Sequence, residues 1–400
     1  MSGGTKNPGF DQRADLLAAA RKKKMARSAH AFVRGNTAGF YAHLAALPKA
    51  KQPPVGPAIW ICGDCHVGNL GPIANADGKV EIQIRDLDQT VIGNPAHDLI
   101  RLALSLASAA RGSDLPGIVT ARIVEQMVVG YGRALIDPAE DDPGPEPDVV
   151  RVVKRRSLGR KWRHLARERI GDAEPAIPLG SRFWALSEDE RHALEALFDD
   201  TALQHLVLSV DPRDARSKVR LIDAAYWKKG CSSLGLARYA ALFAMRDGNG
   251  DTSFGLVDIK EAVASVAPVA HGAKMPADHA ERVLAGTKAL SPFLGDRMAA
   301  ARLLDIPVFI RELAPQDLKL ELAQFSRAEA VKAAHYLAYV VGRAHARQMD
   351  AKQRAEWLGT LSRAAPGLDA PTWLWESVVA LAGGHEVDYL AHCREYALTA

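Results

Sequence analysis

The chain has 400 residues, of which 48% are hydrophobic and 24% charged, so it has the composition of a globular protein with room for two to three domains. A formal net charge of +4 does not require a nucleic-acid partner, and no apolar run approaches the roughly 18 residues of a membrane span. Met1–Asn7 lacks the apolar stretch of a signal peptide, and Ser2 stands where myristoylation requires glycine. With few cysteines besides, these features predict a cytoplasmic protein without a membrane anchor.

The first 50 residues have a helical pattern that ends in a proline-rich loop, Lys51–Pro57. Arg34 in this region is a candidate phosphate contact, although a lone arginine is more often structural. The apolar run Ala58–Cys62 predicts a buried strand, and the strict alternation of Lys79–Arg85 predicts a half-buried one.

The segment between and after these strands carries the strongest functional signal. It reads GDCHVGN, which contains Asp64 and Asn69, and after the second strand RDLDQT, which contains Asp86 and Asp88. Phosphoryl transfer needs such a set, because one carboxylate orients the hydroxyl nucleophile while an asparagine and another aspartate hold magnesium. Asp64 is therefore the candidate catalytic residue, and Asn69, Asp86 and Asp88 are candidate magnesium ligands. Each residue alone also fits a turn, a cap or a solvated strand end, but the ordered set favours a site.

The same loop offers alternatives based on sulfur. Cys62, Cys65 and His66 have the C-x-x-C-H spacing of covalent haem attachment, and the two thiols also fit a redox pair. A four-thiolate zinc site would need Cys231 and Cys393 to converge on them. Because no export signal is present and Cys62 lies in an apolar strand, ordinary buried thiols are favoured.

The middle of the chain is predicted to contain helices and a linker. One helix opens at Pro95 and a second helical stretch continues to about Leu135. The acidic, proline-rich segment Asp137–Asp148 predicts an exposed linker. Arg151–Arg169 contains nine Lys or Arg residues and a single Glu, which suits either an RNA contact or a solvated helix, and the helix is favoured.

A second informative region begins with GCSSLG at Gly230–Gly235, followed by strand, turn and strand. A glycine-rich loop covers nucleotide phosphates by close backbone approach, and a strand lysine contacts them as a point charge. The cofactor-binding candidates are Gly230, Ser232, Ser233, Gly235 and Lys260. The turn also resembles the start of a calcium loop through Asp247, Asn249 and Asp251, but it lacks the required glycine and glutamate.

The remaining elements complete the expected architecture. Glu281, on the predicted helix His279–Leu290, is a further nucleotide-site candidate that would pair with Lys260, the alternative being an exposed helix residue. Pro307–Leu313 predicts another strand and Arg327–Gln348 a strong helix, and the tail after it is predicted to be helical scaffold.

The motifs GDCHVGN, RDLDQT, GNPAHDLIRLALSLA, the hairpin from GCSSLG to DIKEA, and VVGRAHARQ together resemble a bacterial family known only as a domain of unknown function. The resemblance extends from about Arg27 to Gln348. That family is similar to aminoglycoside phosphotransferases and other small-molecule kinases, whose catalytic stretch reads H-G-D-x-x-x-x-N, then an Asp after a strand, then D-L.

The resemblance implies a role for each matching residue. Asp64 would be the catalytic aspartate, Asn69 and Asp86 the magnesium ligands, Lys260 the nucleotide lysine, and Asp98 a structural aspartate at the start of a helix. The chain also departs from the kinase pattern. It has a cysteine before the Gly-Asp pair where the kinases have histidine, and a serine in the middle of the glycine loop. Above all, the glycine loop and the lysine follow the catalytic elements instead of preceding them.

The expected fold is therefore α+β, a protein-kinase-like bilobal fold in circularly permuted order with extra helices. Residues 1–135 would form the catalytic and metal-binding part of the helical lobe, 136–225 a linker and helical insertion, 226–320 a β-rich nucleotide-covering lobe, and 321–400 the rest of the helical lobe. The expected function is ATP- and magnesium-dependent phosphotransfer to a hydroxyl of a small molecule. The alternatives are a kinase-like nucleotide-binding module without catalysis, and an RNA-associated protein acting through 151–169.

This hypothesis makes a geometric demand. The Lys260 ammonium must lie within roughly 8 Å of an Asp86 carboxylate oxygen if both serve one magnesium-bound triphosphate. The end of the Arg327–Gln348 helix must also lie near the strand that enters Gly63.

Overall fold

The α+β class is confirmed: 51% of the chain is helical and 18% is strand, and the largest sheet is six-stranded and antiparallel. The structure, a computed structural model, describes residues 12–75, 77–139, 142–158, 160, 176–208, 217–230, 234–318, 320, 326–363 and 369–396.

The helices are α1 Arg13–Met25, α2 Ala29–Gly35, α3 Thr37–Ala45, α4 Pro95–Arg111, α5 Gly117–Ile136, α6 Asp148–Leu158, α7 Glu188–Phe198, α8 Thr201–Leu208, α9 His279–Leu290, α10 Pro292–Gly295, α11 Arg327–Ala346, α12 Ala351–Leu361 and α13 Thr372–Tyr396. The strands are β1 Ile59–Ile61, β2 Leu70–Ala74, β3 Val80–Ile84, β4 Val91–Gly93, β5 Phe183–Trp184, β6 Lys218–Trp227, β7 Arg238–Arg246, β8 Thr252–Glu261, β9 Met298–Leu303 and β10 Ile306–Glu312.

Helix α4 is the centre of the larger hydrophobic core, which also includes α5 and α11–α13. Nearly all of its side chains are buried, including Asp98, Arg101 and Ser105, as expected for a helix surrounded by other elements. Asn94 caps its start by accepting a hydrogen bond from the Ala96 N–H, and Pro95 occupies the first helical turn, where no backbone donor is needed. Two short strand pairs, β1–β4 and β2–β3, lie against this core and carry the functional motifs. No helix in the described part of the chain combines the length and apolar character that crossing a membrane requires.

Helices α5 and α11 approach closely because a glycine lies at their contact. A Cβ atom on Gly130 would lie 2.1 Å from the backbone oxygen of His335. We expect Gly130→Ala to lower the free energy of unfolding by about 1–3 kcal/mol, because the helices must separate to make room. Gly383→Ala on α13, where a new Cβ has no neighbour within 4 Å, is the matched control and should be neutral or mildly stabilising. Urea unfolding of both variants measures the difference, and equal midpoints would contradict the close-packing argument.

The six-stranded sheet has the order β5-β6-β7-β8-β10-β9, with all neighbours antiparallel. The predicted strand, turn and strand after Gly235 correspond to β7, its hairpin turn and β8. In that turn the Asp247 carboxylate accepts hydrogen bonds from the backbone N–H groups of Asn249 and Asp251, at 3.0 and 2.9 Å. The residues that resemble a calcium loop therefore close a hairpin.

The region 136–225 contains sheet as well as the predicted linker and helices. Strand β5 lies in it, and β6 crosses the predicted boundary at 225–226 and pairs with β7 along most of its length. A register shift between Leu221 and Asp223 interrupts the alternation of β6, which removes the periodic signal of a strand. The six-stranded sheet thus begins earlier in the chain than the sequence indicates.

Candidate functional site

The loop after β1 is fixed to the start of α4 by one buried carboxylate. Asp98 accepts hydrogen bonds from the backbone N–H groups of Cys62 and Gly63, at 2.7 and 3.0 Å, and His345 Nε2 lies 3.1 Å from the same carboxylate. Gly63 has a φ of +74°, and a Cβ atom there would lie 2.1 Å from the Gln89 backbone oxygen. Only glycine satisfies both conditions, and the two hydrogen bonds to Asp98 hold the loop in this conformation.

The end of α11 lies beside β1, as the geometric hypothesis required. The Gln348 side chain accepts from the Trp60 N–H at 2.9 Å and donates to the Trp60 C=O at 3.0 Å. Behind His345, the Tyr131 hydroxyl lies 2.8 Å from the imidazole Nδ1 and accepts from the Trp357 indole N–H. A chain of buried hydrogen bonds thus connects the loop to the helical core.

Asp64 lies at the floor of a cleft in a largely buried position. Its Oδ1 accepts a hydrogen bond from Arg101 Nε at 2.9 Å, and Arg101 also donates to the Val33 C=O. Burial raises the pKa of Asp64 above its ordinary value, and the Arg101 guanidinium opposes that rise. His66 Nε2 lies 3.8 Å from the Asp64 carboxylate, but burial holds the pKa of His66 well below its usual value, so the imidazole is neutral. Asp64 is therefore an oriented carboxylate with a raised proton affinity.

Lys260, Asp86 and Asp88 meet beside Asp64. The Lys260 ammonium lies 3.7 Å from Asp86 Oδ1 and also contacts the Asp88 carboxylate, although Lys260 and Asp86 are 174 residues apart in the chain. The expected proximity is confirmed. Lys260 is only 3% exposed, and burial lowers its pKa while Asp86 opposes that change. Asn69, which donates to the Asp64 C=O at 3.0 Å, lines the same cleft.

These residues suit a magnesium ion whose coordination shell is completed by other oxygen ligands. Magnesium prefers hard oxygen donors and usually keeps several waters or phosphate oxygens besides one or two carboxylates. Asp88 Oδ1 is buried without a hydrogen-bond partner among the described residues, and Asp86 is about half exposed to the cleft. No group of three or more His, Cys, Asp and Glu side chains in the described part of the chain is placed to hold a metal alone. The Asn69 amide oxygen and ligand phosphates would have to complete the shell.

The two cysteines of the loop are buried thiols. Cys62 and Cys65 are both fully buried, and a hydrogen bond to Cys65, together with burial, raises the pKa of Cys62 well above its ordinary value. Of the other two cysteines, Cys231 lies outside the described residues and the Cys393 thiol contacts the Ala26 C=O. These positions favour packing over the haem, redox and zinc alternatives.

The predicted glycine loop is described only at its ends. Gly230 lines the cleft and its C=O accepts a hydrogen bond from Lys24 Nζ at 2.6 Å. Gly235 has a φ of +112°, which favours glycine. Ser232 and Ser233 lie outside the described residues, so their contact with phosphate stays a prediction.

The expected pair between Glu281 and Lys260 does not form. Glu281 is exposed on α9, and its neighbour Arg282 is buried and donates to the backbone oxygens of Asp88 and Thr90. Successive helix positions point about 100° apart, so burying Arg282 turns Glu281 toward solvent. Lys260 has the two aspartates as partners instead, and α9 supports the site through an arginine.

The cleft is large and basic. Its volume is about 1380 Å³, and its lining includes thirteen Lys or Arg side chains and six Asp side chains of the described residues. These give the lining a formal charge of about +7, whereas the whole 400-residue chain carries +4. The positive charge of the protein is therefore concentrated here. The basic residues are Lys23, Lys24, Arg27, Arg34, Arg85, Arg156, Arg160, Arg182, Lys228, Lys229, Arg238, Lys260 and Arg311.

Several residues of the site are absent from the sequence-based set. Arg101 contacts Asp64, and its signal is a single arginine inside the apolar run LIRLAL. Asp258 is two positions before Lys260 on β8, hence on the same face, and binds Arg238. Asp317 binds Arg311 at 2.7 Å in a loop without a recognisable motif.

Comparisons with known proteins place the chain by family. Searches of curated proteins and of solved structures gave no match. A family model described as "Uncharacterized protein conserved in bacteria (DUF2252)" matches residues 13–395, nearly the whole chain. The chain therefore belongs to this bacterial family.

Proposed function

We propose that this protein is an ATP- and magnesium-dependent phosphotransferase that acts on a hydroxyl of a small molecule. The observation that carries the proposal is the convergence of Lys260 with Asp86 and Asp88 beside Asp64 and Asn69. Two stretches far apart in the chain supply the complementary parts of a phosphoryl-transfer site. A lysine that neutralises phosphates and carboxylates that hold their magnesium must face one cluster.

In the proposed reaction the acceptor hydroxyl oxygen bonds to the γ-phosphorus of ATP. The bond from that phosphorus to the bridging oxygen of the leaving ADP breaks, and the hydroxyl proton passes to Asp64. The raised pKa of Asp64 suits this base role, and Arg101 orients the carboxylate. Magnesium would neutralise charge on the phosphates, with Asp86, Asp88 and Asn69 as its protein ligands.

Two structural features favour a kinase-like arrangement in permuted order. The catalytic loop and metal aspartates precede, in the chain, an antiparallel sheet that presents Lys260 to them. Helix α11, which follows the sheet, returns to β1 and hydrogen-bonds with Trp60. The helical part of the protein is thus assembled from both ends of the chain, as a circular permutation of a two-lobed kinase requires.

The first test concerns magnesium. We expect Asp86→Asn to remove the magnesium-dependent part of nucleotide stabilisation, because the substitution removes a charged oxygen ligand for the ion. In wild type, Mg-ATP at 100-fold over its Kd should add about 2.7 kcal/mol to the free energy of unfolding. Thermal unfolding with ATP, with and without magnesium, measures this contribution.

Asp296→Asn is the matched control, because Asp296 is exposed and is not part of the cleft lining. It should respond to Mg-ATP as wild type does. A normal magnesium response in Asp86→Asn would show that Asp86 is not a ligand and would make Asp88 the metal carboxylate. Absence of any nucleotide response in wild type would overturn the proposed function.

A further inference from the structure

The cleft has more room and more charge than one magnesium-bound nucleotide needs. Its volume of about 1380 Å³ exceeds the roughly 300–1,000 Å³ typical of a pocket for one small molecule. Magnesium offsets much of the charge of a triphosphate, so Mg-ATP leaves most of an excess of about +7 uncompensated. A second ligand therefore fits the cleft, and the uncompensated positive charge favours an anion.

Eight of the thirteen basic residues of the cleft lining form a second group besides Lys260. We call this the basic rim and define it as Lys23, Lys24, Arg27, Arg156, Arg160, Arg182, Lys228 and Lys229. It is assembled from α1 and the turn after it, from α6 and its end, and from residues flanking β5 and β6. Segments so far apart in the chain place like charges together only at a cost in repulsion, which an anionic ligand would relieve.

The acidic residues of the cleft neutralise only a small part of the basic rim, in which Lys229 lies 3.6 Å from the Asp258 carboxylate. Asp258 binds Arg238 through two hydrogen bonds, and Asp317 binds Arg311. Asp86 and Asp88 contact Lys260. For five residues of the basic rim the described part of the chain contains no ion pair; these are Lys23, Arg27, Arg156, Arg182 and Lys228.

We propose that the acceptor is itself an anion, a small hydroxyl compound bearing a phosphate or carboxylate group that the basic rim binds. The proposal rests on the proposed phosphotransferase function and specifies its substrate class. It separates this protein from the aminoglycoside kinases that its motifs resemble, because aminoglycosides are polyamines and a basic rim repels them. Arginine suits the role because its planar guanidinium binds oxyanions in a bidentate manner.

The test measures oxyanion binding while the nucleotide site is occupied. The protein is saturated with magnesium and a non-hydrolysable, fluorescent ATP analogue, and inorganic sulfate replaces chloride at constant ionic strength. Sulfate should raise the melting temperature of wild type while the analogue stays bound. The rise should be abolished or at least halved in the double variant Arg156→Glu/Arg182→Glu, whose two side chains are exposed on the basic rim.

A matched control is Arg220→Glu/Arg246→Glu, two exposed arginines of β6 and β7 that are not part of the cleft lining. It should keep the wild-type response, which removes the general salting-out effect of sulfate from the comparison. Equal responses in all three proteins, or release of the analogue by sulfate, would overturn the anionic acceptor. Failure of the analogue to bind wild type would instead overturn the phosphotransferase, so the two failures are distinguishable.

Discussion

Asp64→Asn is expected to lower turnover about 10²–10⁴-fold, the range that a positioned general base contributes. Nucleotide affinity should change little, because Asp64 faces the acceptor hydroxyl in the proposed reaction while Lys260 and Asp86 contact the phosphate and its metal. The amide keeps the shape and the hydrogen bond from Arg101 but accepts a proton far less readily. Steady-state ATP consumption and equilibrium binding of Mg-ATP, measured on the same preparation, separate the two effects.

Asparagine is preferred to alanine because Arg101 is only 1% exposed. Alanine would leave a cavity and would also remove the oxygen that accepts the Arg101 hydrogen bond, whereas asparagine keeps that acceptor. A Ser253→Ala variant on β8, outside the cleft lining, serves as an unaffected reference. Equal losses of binding and turnover in Asp64→Asn would make Asp64 a metal ligand or a structural residue. Binding of Mg-ATP by wild type without any ATP consumption would favour a nucleotide-binding module without catalysis.

Local sequence patterns predicted most of the elements that hold the site. The helix His279–Leu290 has the predicted bounds, and the helix from Pro95 and the strands around Ala58–Cys62 and Lys79–Arg85 are present. Apolar periodicity, turn residues and helix caps are properties of neighbouring residues, so they can be read without tertiary information. Strand β2 is absent from the prediction because it is buried throughout and short, and therefore has no alternation.

Contacts between distant segments were predictable only where the expected reaction requires two residues to act on the same ligand. The Lys260–Asp86 proximity follows from assigning both residues to one bound triphosphate, and no local pattern contains it. The expected reaction does not require the Arg101–Asp64 contact. An arginine in an apolar helix also does not indicate which residue is its partner. The choice between Glu281 and Arg282 as the inward residue depended on how α9 is rotated against the sheet, which packing determines.

A buried charge cluster shows how the basic cleft is stabilised. Asp317 receives two hydrogen bonds from Arg297, at 2.9 and 3.0 Å, and one from Arg311, while Arg85 donates to its backbone oxygen. Three guanidinium groups thus surround a single carboxylate beside the cleft. Burial alone would raise the pKa of Asp317, but Arg297, Arg311 and Arg85 lower it to about 2.

Asp317→Ala is expected to lower the free energy of unfolding by about 3–5 kcal/mol, because it leaves three neighbouring guanidinium groups without their anion. This is the largest stability effect we expect from one substitution near the site. Urea unfolding at pH 7 measures it, with Asp296→Ala as the control at an exposed aspartate. A midpoint equal to that of the control would show that water screens the three arginines as effectively as Asp317 does.

The pH dependence of the free energy of unfolding tests whether the negative charge of Asp317 provides its stabilising effect. Because the pKa of Asp317 falls from 3.8 to about 2 on folding, the ionised carboxylate stabilises the native state by about 2 kcal/mol above pH 4. That contribution is lost as the pH falls through the interval from about 4 to 2. In this interval the carboxyl group is increasingly protonated in the unfolded chain and must release its proton on folding. Asp317→Asn keeps the volume but cannot titrate, so its stability should fall less steeply than that of wild type over this interval. Parallel pH profiles of the two proteins would mean that another carboxylate controls the acid unfolding.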